Sequence, residues 1–298
     1  MEPRKPRLVV VGNGMAGMRA VEELLKLAPD LYQITVFGDE PCVNYNRILL
    51  SPVLAGEKKF DDIVLNGREW YDANGIVLHA GKEVVEIDRV RRRVVAADGT
   101  VAPYDRLLLA TGSSPIVLPI PGAQLPGVLT FRSIADVERM FAVARETCEA
   151  VVIGGGLLGL EAANGLMKQG LKVTVIHLME TLMERQLDAT AGRMLRVSLE
   201  ARGISFRMPA QTEAILGSER AAGVRLKGGE EIRAPLVVMA VGIRPNIALA
   251  KKAGLHCERG VVVGDTMQTY DPAIYAVGEC VQNRGQTYGL VAPLFDQA

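Results

Sequence analysis

Apolar residues occur along the chain in short runs, and glycine-rich turns follow several of them. The first run, residues 8–11, leads through glycines into an amphipathic stretch. Apolar runs of this length predict buried parallel strands, since such strands are covered on both faces. From Met18 onward, Val21 shares a helical face with Met18, while Glu22 lies on the opposite face. The chain therefore opens with a predicted strand, a turn and a helix.

The same pattern returns in the middle of the chain. An apolar run at 150–153 precedes a second glycine turn, a predicted helix at 160–169 and a predicted strand at 172–176. In the first half, residues 33–37 form the corresponding second strand. This repetition predicts an α/β fold with two Rossmann-like dinucleotide-binding domains.

Later segments indicate how the two domains are connected. The stretch 41–64 has no clear period and is predicted as a loop with short helical turns, and the proline-rich stretch 115–126 is predicted as a linker. We predict a discontinuous first domain over residues 1–117 and 243–298. A second domain, 118–242, is inserted in it.

Both turns have GxGxxG spacing, with glycines at Gly12, Gly14 and Gly17, and at Gly154, Gly156 and Gly159. In this pattern the first glycine allows a tight turn and the second lets backbone approach a pyrophosphate. The third lets the helix pack closely on the sheet. The N–H groups at the helix start then face an anion. One such motif is weak evidence, but a preceding strand and a following helix at both positions support dinucleotide binding.

Composition excludes several classes of function. The 298 residues carry no formal net charge, and the short basic run 89–95 is expected to be a solvated strand face, so no nucleic-acid partner is expected. No apolar run reaches membrane-spanning length and no secretory signal is found, so we expect a cytoplasmic protein without a membrane partner. No two of the four cysteines have CxxC spacing, so no metal site is expected.

Two places carry charged residues suited to a nucleotide. Asp39 and Glu40 follow the second predicted strand, where an acid usually binds the adenosine ribose. Both acids stay candidates for binding the ribose, because Gly38 occupies the position where that acid more often stands. The alternative is a solvated turn that binds no ligand. Arg47 lies among apolar neighbours in a loop, where its charge requires an anion. That anion would be a pyrophosphate or, in the alternative, the carboxylate of an ordinary salt bridge.

Two dinucleotide sites on one chain favour a resident flavin, FAD, and an exchangeable nicotinamide, NADH or NADPH. Hydride transfer between them is chemistry of the cofactors, while the protein orients them and excludes water. We therefore predict no catalytic acid or base among the side chains.

Five motifs resemble those of the two-dinucleotide flavoprotein reductases, which include ferredoxin, rubredoxin and disulfide reductases. They are the turn at Gly12, LLLATGSSP at Leu107, GGGLLGLEAA at Gly154, VGIRPN at Val241 and YAVGEC at Tyr275. A closer similarity, carried by VNYNRILLSPVLAGE, LMETLMERQLD and GLVAPLFDQA, is to the amino-terminal reductase portion of the assimilatory NAD(P)H nitrite reductase large subunits.

The resemblance implies that the discontinuous domain, 1–117 and 243–298, binds FAD and that the inserted domain, 118–242, binds NAD(P)H. It also implies two sets of cofactor-binding residues. The flavin set is Gly12, Gly14, Met15, Ala16, Gly17, Asp39 or Glu40, Arg47, Ala110, Thr111, Gly112, Gly278 and Glu279. The nicotinamide set is Gly154, Gly156, Leu157, Leu158, Gly159, Glu161, His177 and Gly242. Glu279 stands where most relatives carry an Asp that binds the ribityl chain. Glu161 is expected near the nicotinamide, with a helix-surface acid as the alternative.

The chain departs from the family pattern in two respects. His177 ends the second strand of the second domain where an acid would favour NADH, and no Arg follows at once to bind a 2′-phosphate, so NADH is favoured weakly. The flavin-facing cysteine of disulfide-reducing relatives would fall near Ile48, so Cys42 is expected to be an ordinary loop cysteine.

The resemblance implies an FAD-dependent oxidoreductase that takes hydride from NAD(P)H and passes electrons to a metal centre. Its partners would be the iron–sulfur and sirohaem domains of nitrite reductase or a small redox protein, and a homodimer is considered. Those domains and the carboxyl-terminal interface domain are not in this sequence. The alternatives are a stand-alone ferredoxin or rubredoxin reductase or NADH oxidase, and a non-catalytic flavin-binding sensor or assembly protein.

Overall fold

The structure is a computed structural model that describes residues 4–298. Its contacts divide the chain into two units, each made of separate segments. The first unit comprises residues 4–46, 64–114 and 244–298, and the second comprises 47–63 and 115–243. The segment 47–63 thus belongs to the second unit, whereas the sequence prediction placed it with the first.

A five-stranded parallel sheet forms the centre of the first unit. In spatial order its strands are Ile274–Ala276, Arg106–Leu109, Arg7–Val11, Gln33–Phe37 and Val77–His79. Successive side chains of the central strand point to opposite faces of the sheet, as the period of a strand requires. Val9 and Val11 belong to one hydrophobic cluster, while Leu8 and Val10 belong to another that contains Met18 and Val21 of the first helix. Both faces of this sheet are therefore covered.

The remaining elements of the first unit lie around this sheet. A three-stranded antiparallel sheet contributes Val84, Ile87 and Val94 to the cluster of Val9 and Val11. Its strands are Val84–Asp88, Arg93–Ala96 and Val101–Pro103. One smaller sheet has the spatial order Val261–Val263, Val281–Asn283 and Gln286–Thr287, and another pairs Asn44–Tyr45 with Val64–Asn66. The α-helices are Met15–Leu27, Arg68–Ala73, Ala248–Lys252 and Val291–Gln297, and Gly278–Cys280 is a 3₁₀ turn.

The second unit repeats the same architecture. Its five parallel strands are, in spatial order, Val128–Thr130, Leu236–Met239, Glu149–Ile153, Lys172–Ile176 and Ser205–Arg207. The antiparallel sheet that accompanies them consists of Thr212–Leu216, Gly223–Leu226 and Glu231–Arg233. The α-helices are Leu50–Leu54, Ile134–Ala144, Leu157–Lys168 and Ala189–Glu200, with 3₁₀ turns at Arg47–Leu49 and Asp61–Ile63. The predicted α/β fold with two Rossmann-like halves is confirmed.

The proline-rich stretch 115–126, predicted as the linker in which the chain enters the second domain, is packed as part of the second unit. Leu118, Ile120 and Leu125 pack against the buried cluster of that unit, and the Ile215 N–H donates to the Pro121 carbonyl. Prolines lack the N–H needed inside a sheet, so apolar side chains and carbonyl acceptors, rather than a regular ladder, hold this stretch. The segments Ser113–Pro115 and Ile243–Pro245 form a two-stranded sheet where the chain passes from one unit to the other.

The first glycine of each turn is required by a close approach of two backbone segments. Gly12 has a φ of +118°, and a Cβ there would lie 2.0 Å from the carbonyl oxygen of Ala110. Gly154 has a φ of +122°, and its Cβ would lie 2.3 Å from the carbonyl oxygen of Ala240. A positive φ already strains any residue that has a side chain, and a backbone carbonyl cannot move aside to make room for a Cβ. Both positions therefore require glycine.

We predict that Gly12→Ala destabilises the protein by about 3 kcal/mol or more, because strain at positive φ adds to a backbone clash. Gly14→Ala is the matched control, since its Cβ would meet no atom within 4 Å and its φ is −84°. We expect the control to change the free energy of unfolding by less than about 1 kcal/mol. Urea unfolding of both variants without bound nucleotide, followed by circular dichroism, measures both, and equal stability of the two variants would contradict the argument.

Candidate functional site

The first glycine turn, residues 12–17, lies at the carboxyl edge of the parallel sheet of the first unit. Gly14 is the N-cap of the helix Met15–Leu27, and no side chain caps that helix. Space in front of Gly14 is open, since a Cβ there would touch nothing within 4 Å. The first N–H groups of a helix have no partners within it. This helix end can therefore bind an anionic group.

Asn13, between the first two glycines, anchors the turn to the rest of the unit. Its side-chain amide donates to the Cys42 carbonyl at 3.2 Å, and its Oδ1 accepts from the Tyr71 hydroxyl at 2.7 Å. Asn44 donates to the Asn13 backbone carbonyl at 2.9 Å. A Cβ on Gly38 would lie 2.8 Å from the Asn13 Cβ. The size of Asn13 therefore explains why glycine follows the second strand, where an acid was expected.

The two acids after Gly38 have different surroundings. Asp39 is exposed, and its carboxylate accepts the backbone N–H of Glu40 at 3.0 Å. Glu40 is half-buried, and its Oε2 accepts from the Tyr45 hydroxyl at 2.8 Å. Asp39 thus shapes the backbone of the turn, while the carboxylate of Glu40 is held in a fixed position.

The strand Arg106–Leu109 ends at the same edge and continues into Ala110, Thr111 and Gly112. Thr111 and Asn246 form a reciprocal pair. The Thr111 hydroxyl donates to the Asn246 carbonyl at 2.8 Å, and the Asn246 amide donates to the Thr111 carbonyl at 2.8 Å. Gly112 has a φ of +64°, and its carbonyl accepts the Asn246 N–H. These bonds fix the backbone that follows the strand.

The fourth strand to end at this edge, Ile274–Ala276, leads to Gly278 and Glu279. A Cβ on Gly278 would lie 2.9 Å from the Cβ of Ala16, so the turn packs directly on the first helix. Oε2 of Glu279 accepts from the Ser113 hydroxyl at 2.7 Å. The predicted flavin residues of the first unit therefore follow four neighbouring strand ends, where open α/β sheets bind ligands. Asn13, Tyr71, Ser113 and Asn246 also belong to this region and were missed, because their contacts link distant parts of the sequence.

The second glycine turn, residues 154–159, is built in the same way in the second unit. Gly156 is the N-cap of the helix Leu157–Lys168, without a side-chain cap, and a Cβ on Gly156 would touch nothing within 4 Å. Leu157 is exposed and Leu158 is half-buried. Gly159 packs on the turn itself, because a Cβ there would lie 2.0 Å from the Gly154 carbonyl oxygen. This helix end can therefore also bind an anion.

His177 directly follows the second strand of the second unit and is buried. Its Nδ1 accepts the backbone N–H of Gly155 at 3.1 Å. On the other side of the ring, Nε2 lies 3.1 Å from the Thr181 carbonyl and 3.2 Å from Oε2 of Glu184. An imidazole that accepts at one nitrogen and faces two acceptors at the other is neutral with its proton on Nε2. His177 thus holds the turn and orients an acid.

Three more predicted residues lie in the second unit. Glu161, on the helix after the turn, accepts the Ser51 hydroxyl at 2.6 Å. The Arg47 guanidinium donates to the carbonyl of Arg132 and is half-buried. Gly242 has a φ of +122° and follows the strand that lies beside the glycine turn. Glu161 is therefore held by a hydroxyl rather than exposed as an unpartnered surface acid.

Neither turn brings together a nucleophile and a base. Within residues 4–298, no cluster of three or more His, Cys, Asp or Glu side chains is arranged to hold a metal ion. In the same part of the chain, every helix is too short or too polar to span a bilayer. What the two regions offer a ligand is therefore an open helix N-terminus in each unit, with nearby glycines and a few carboxylates that hydrogen bonds hold in position.

Comparison with known proteins gives consistent matches. The family model described as Pyridine nucleotide-disulphide oxidoreductase matches residues 6–291. Nitrite reductase (NAD(P)H) of Bacillus subtilis (strain 168) is 54% identical over 99% of this chain and 36% of that protein. The assimilatory nitrate reductase electron transfer subunit of the same organism is 49% identical over 99% and 38%. This chain thus spans little more than a third of either relative.

Among solved structures, the crystal structure of the covalent putidaredoxin reductase–putidaredoxin complex matches with a TM-score of 0.92 and 29% sequence identity. The match covers 99% of this chain and 74% of that chain. Nearly the whole backbone described above therefore recurs in a solved reductase.

We predict that the Tyr71 hydroxyl stabilises the first turn in a pH-dependent way. Burial raises the pKa of Tyr71 to about 12, from an ordinary value of about 10. The Tyr71 hydroxyl therefore stays protonated to a higher pH in the folded state than in the unfolded state. Its contribution to stability is fully present below pH 10 and is lost as the pH rises toward 12. Tyr71→Phe should cost about 1 kcal/mol at pH 7, because Oδ1 of Asn13 loses a donor.

Urea unfolding of both proteins between pH 7 and pH 12 tests this prediction. The difference between wild type and Tyr71→Phe should shrink above pH 10. Burial also raises the pKa of Tyr104 to about 12. Tyr71→Phe should therefore still lose some stability as the pH rises above 10, because Tyr104 remains. A difference that stays constant across this range would contradict the assigned role of the hydroxyl.

Proposed function

Because the chain belongs to the pyridine nucleotide-disulphide oxidoreductase family, we propose that it works as the electron-input module of a nitrite reductase. It is an FAD-dependent NAD(P)H oxidoreductase, and FAD and NAD(P)H are its cofactors. The proposed reaction takes hydride from NAD(P)H and passes electrons to a metal-centre acceptor. When bound, the flavin supplies the two-electron acceptor that also releases electrons one at a time.

The duplicated open helix end carries this proposal. Gly14 and Gly156 each stand before a helix without a side-chain cap, and each leaves space that a Cβ would otherwise fill. A pyrophosphate needs this kind of close backbone approach. Two such places on one chain fit two dinucleotides, and a single-cofactor protein would need only one.

In the first unit, we assign the FAD pyrophosphate to the helix start after Gly14. Glu40, held by Tyr45, is suited to accept the ribose hydroxyls, while Asp39 shapes the turn. Glu279, held by Ser113, is suited to accept a hydroxyl of the ribityl chain. The Thr111 backbone, fixed by Asn246, would line the same site.

In the second unit, we assign the NAD(P)H pyrophosphate to the helix start after Gly156. The Gly155 N–H is already donated to His177, so it would not bind the phosphates. Glu161 is held by Ser51 close to the turn and would orient the nicotinamide end. Arg47 stays a prediction as a ligand of the FAD pyrophosphate rather than of NAD(P)H, and its guanidinium donates to the carbonyl of Arg132.

The proposed acceptor follows from the relatives. One is named a nitrite reductase and another an electron transfer subunit of assimilatory nitrate reductase, and both are much longer than this chain. We propose that electrons leave to an iron–sulfur and sirohaem centre of the nitrite reductase type. The solved reductase complexed with putidaredoxin supports a redox protein as the immediate partner. A homodimer and a cytoplasmic location stay predictions.

Anaerobic stopped-flow spectroscopy tests the proposal directly. The flavin-loaded protein is mixed with NADH or NADPH, and the flavin absorbance is followed. We expect rapid bleaching by NADH, and NADH-dependent reduction of ferricyanide in steady state. A protein that is fully loaded with FAD but bleaches slowly or not at all, and reduces no ferricyanide, would favour a flavin-binding sensor instead.

We predict that alanine at the second glycine of each turn separates the two cofactor sites. Gly156→Ala should keep FAD but weaken NADH binding at least about tenfold, because a methyl group enters the phosphate space. Gly14→Ala should weaken FAD retention and spare nicotinamide binding. Flavin absorbance after gel filtration and titration with NAD⁺ measure both. Loss of FAD from Gly156→Ala, with its fold intact, would contradict the assignment.

A further inference from the structure

The loop that follows the second strand of the second unit is fastened to the middle of the glycine turn. Both polar groups of the Gly155 backbone are used: its N–H donates to His177, and its carbonyl accepts the N–H of Met183 at 3.1 Å. Met183 adopts a φ of +53°. A Cβ on Gly155 would lie 2.8 Å from Cδ2 of the fully buried Leu182. The position of the loop relative to the turn is therefore fixed.

This loop presents one carboxylate in a defined orientation. His177 is 7% exposed and neutral, and its Nε2–H faces Oε2 of Glu184 at 3.2 Å. The Glu184 side chain keeps 33% of its surface exposed. Within the described residues 4–298, Oε1 of Glu184 has no hydrogen-bond partner. One oxygen is thus held by the protein, and the other is available to a ligand.

We propose, on the basis of the function proposed above, that Glu184 makes the second unit selective for NADH. At the end of the second strand, where a carboxylate usually binds the ribose 2′-hydroxyl, this chain has His177. His177 instead directs the carboxylate of Glu184 toward that position. A carboxylate there accepts a hydroxyl and repels the 2′-phosphate of NADPH, so selectivity comes from a repulsive element.

The charges around this position leave one competing interpretation. Arg185 is exposed, and it is the arginine of the loop segment 177–187. Arg207 ends the neighbouring strand, but it is paired with Glu230 at 2.6 Å. If Arg185 bound a 2′-phosphate, NADPH would be preferred. Glu180, exposed in the same loop, makes no described contact with His177 and serves as a control for general loop charge.

Isothermal titration of the flavin-loaded protein with NAD⁺ and with NADP⁺ tests the proposal. The quantity compared is the ratio of the two dissociation constants. Glu184→Gln keeps an oxygen to accept from His177 but removes the charge, and it should shift the ratio toward NADP⁺ at least about tenfold. Glu180→Gln should shift it less than about twofold. His177→Ala, which releases Glu184, should also weaken the preference for NAD⁺.

The outcomes separate this proposal from the function on which it rests. An unchanged ratio in Glu184→Gln, or an equal shift in Glu180→Gln, would overturn the role of Glu184 while the reductase function stands. A loss of NADP⁺ binding in Arg185→Ala, with no effect of Glu184→Gln, would overturn it in favour of the arginine. If wild type bound neither nucleotide, the proposed function itself would fail, and this assignment with it.

Discussion

In each unit, two backbone segments approach so closely at the carboxyl edge of the parallel sheet that only glycine fits between them. The Ala110 carbonyl occupies the space beside Gly12, and the Ala240 carbonyl does the same beside Gly154. This approach turns the chain sharply out of the central strand and directs the following helix toward the sheet edge. The open helix ends depend on it, because a wider turn would displace the helix starts from the neighbouring strand ends.

The two turns differ in what holds them. Asn13 anchors the first through its side chain, and its bulk requires Gly38 nearby. The second has Gly155 at this position, so the backbone itself is anchored, and a histidine from the next strand supplies the acceptor. The first arrangement fixes a turn by contacts within the first unit. The second connects the turn to a loop whose residues are largely exposed.

Much of this architecture could be predicted from the order of apolar runs and glycines, because buried parallel strands and tight turns leave strong local signals. Helix starts were predicted about one turn late, at 18 and 160 rather than Met15 and Leu157. A glycine in the first turn of each helix, Gly17 and Gly159, interrupted the apolar period there. Glu184 could not be identified, because its position depends on a histidine seven residues earlier and on the backbone of another element. The packing of the stretch 115–126 was missed for a similar reason, since its apolar side chains contact strands far along the chain.

The stretch 47–63 has a consequence for dissecting the protein. It lies in sequence within the first unit but packs with the second, where Leu54 occupies the space beside Gly165 and Gln169 donates to the Leu54 carbonyl at 2.9 Å. A fragment cut only at the junctions near 114 and 243 would lack this stretch and expose an apolar groove on its own helix. A soluble fragment of the second unit would therefore require residues 47–63 to be attached through a designed linker, rather than simple truncation.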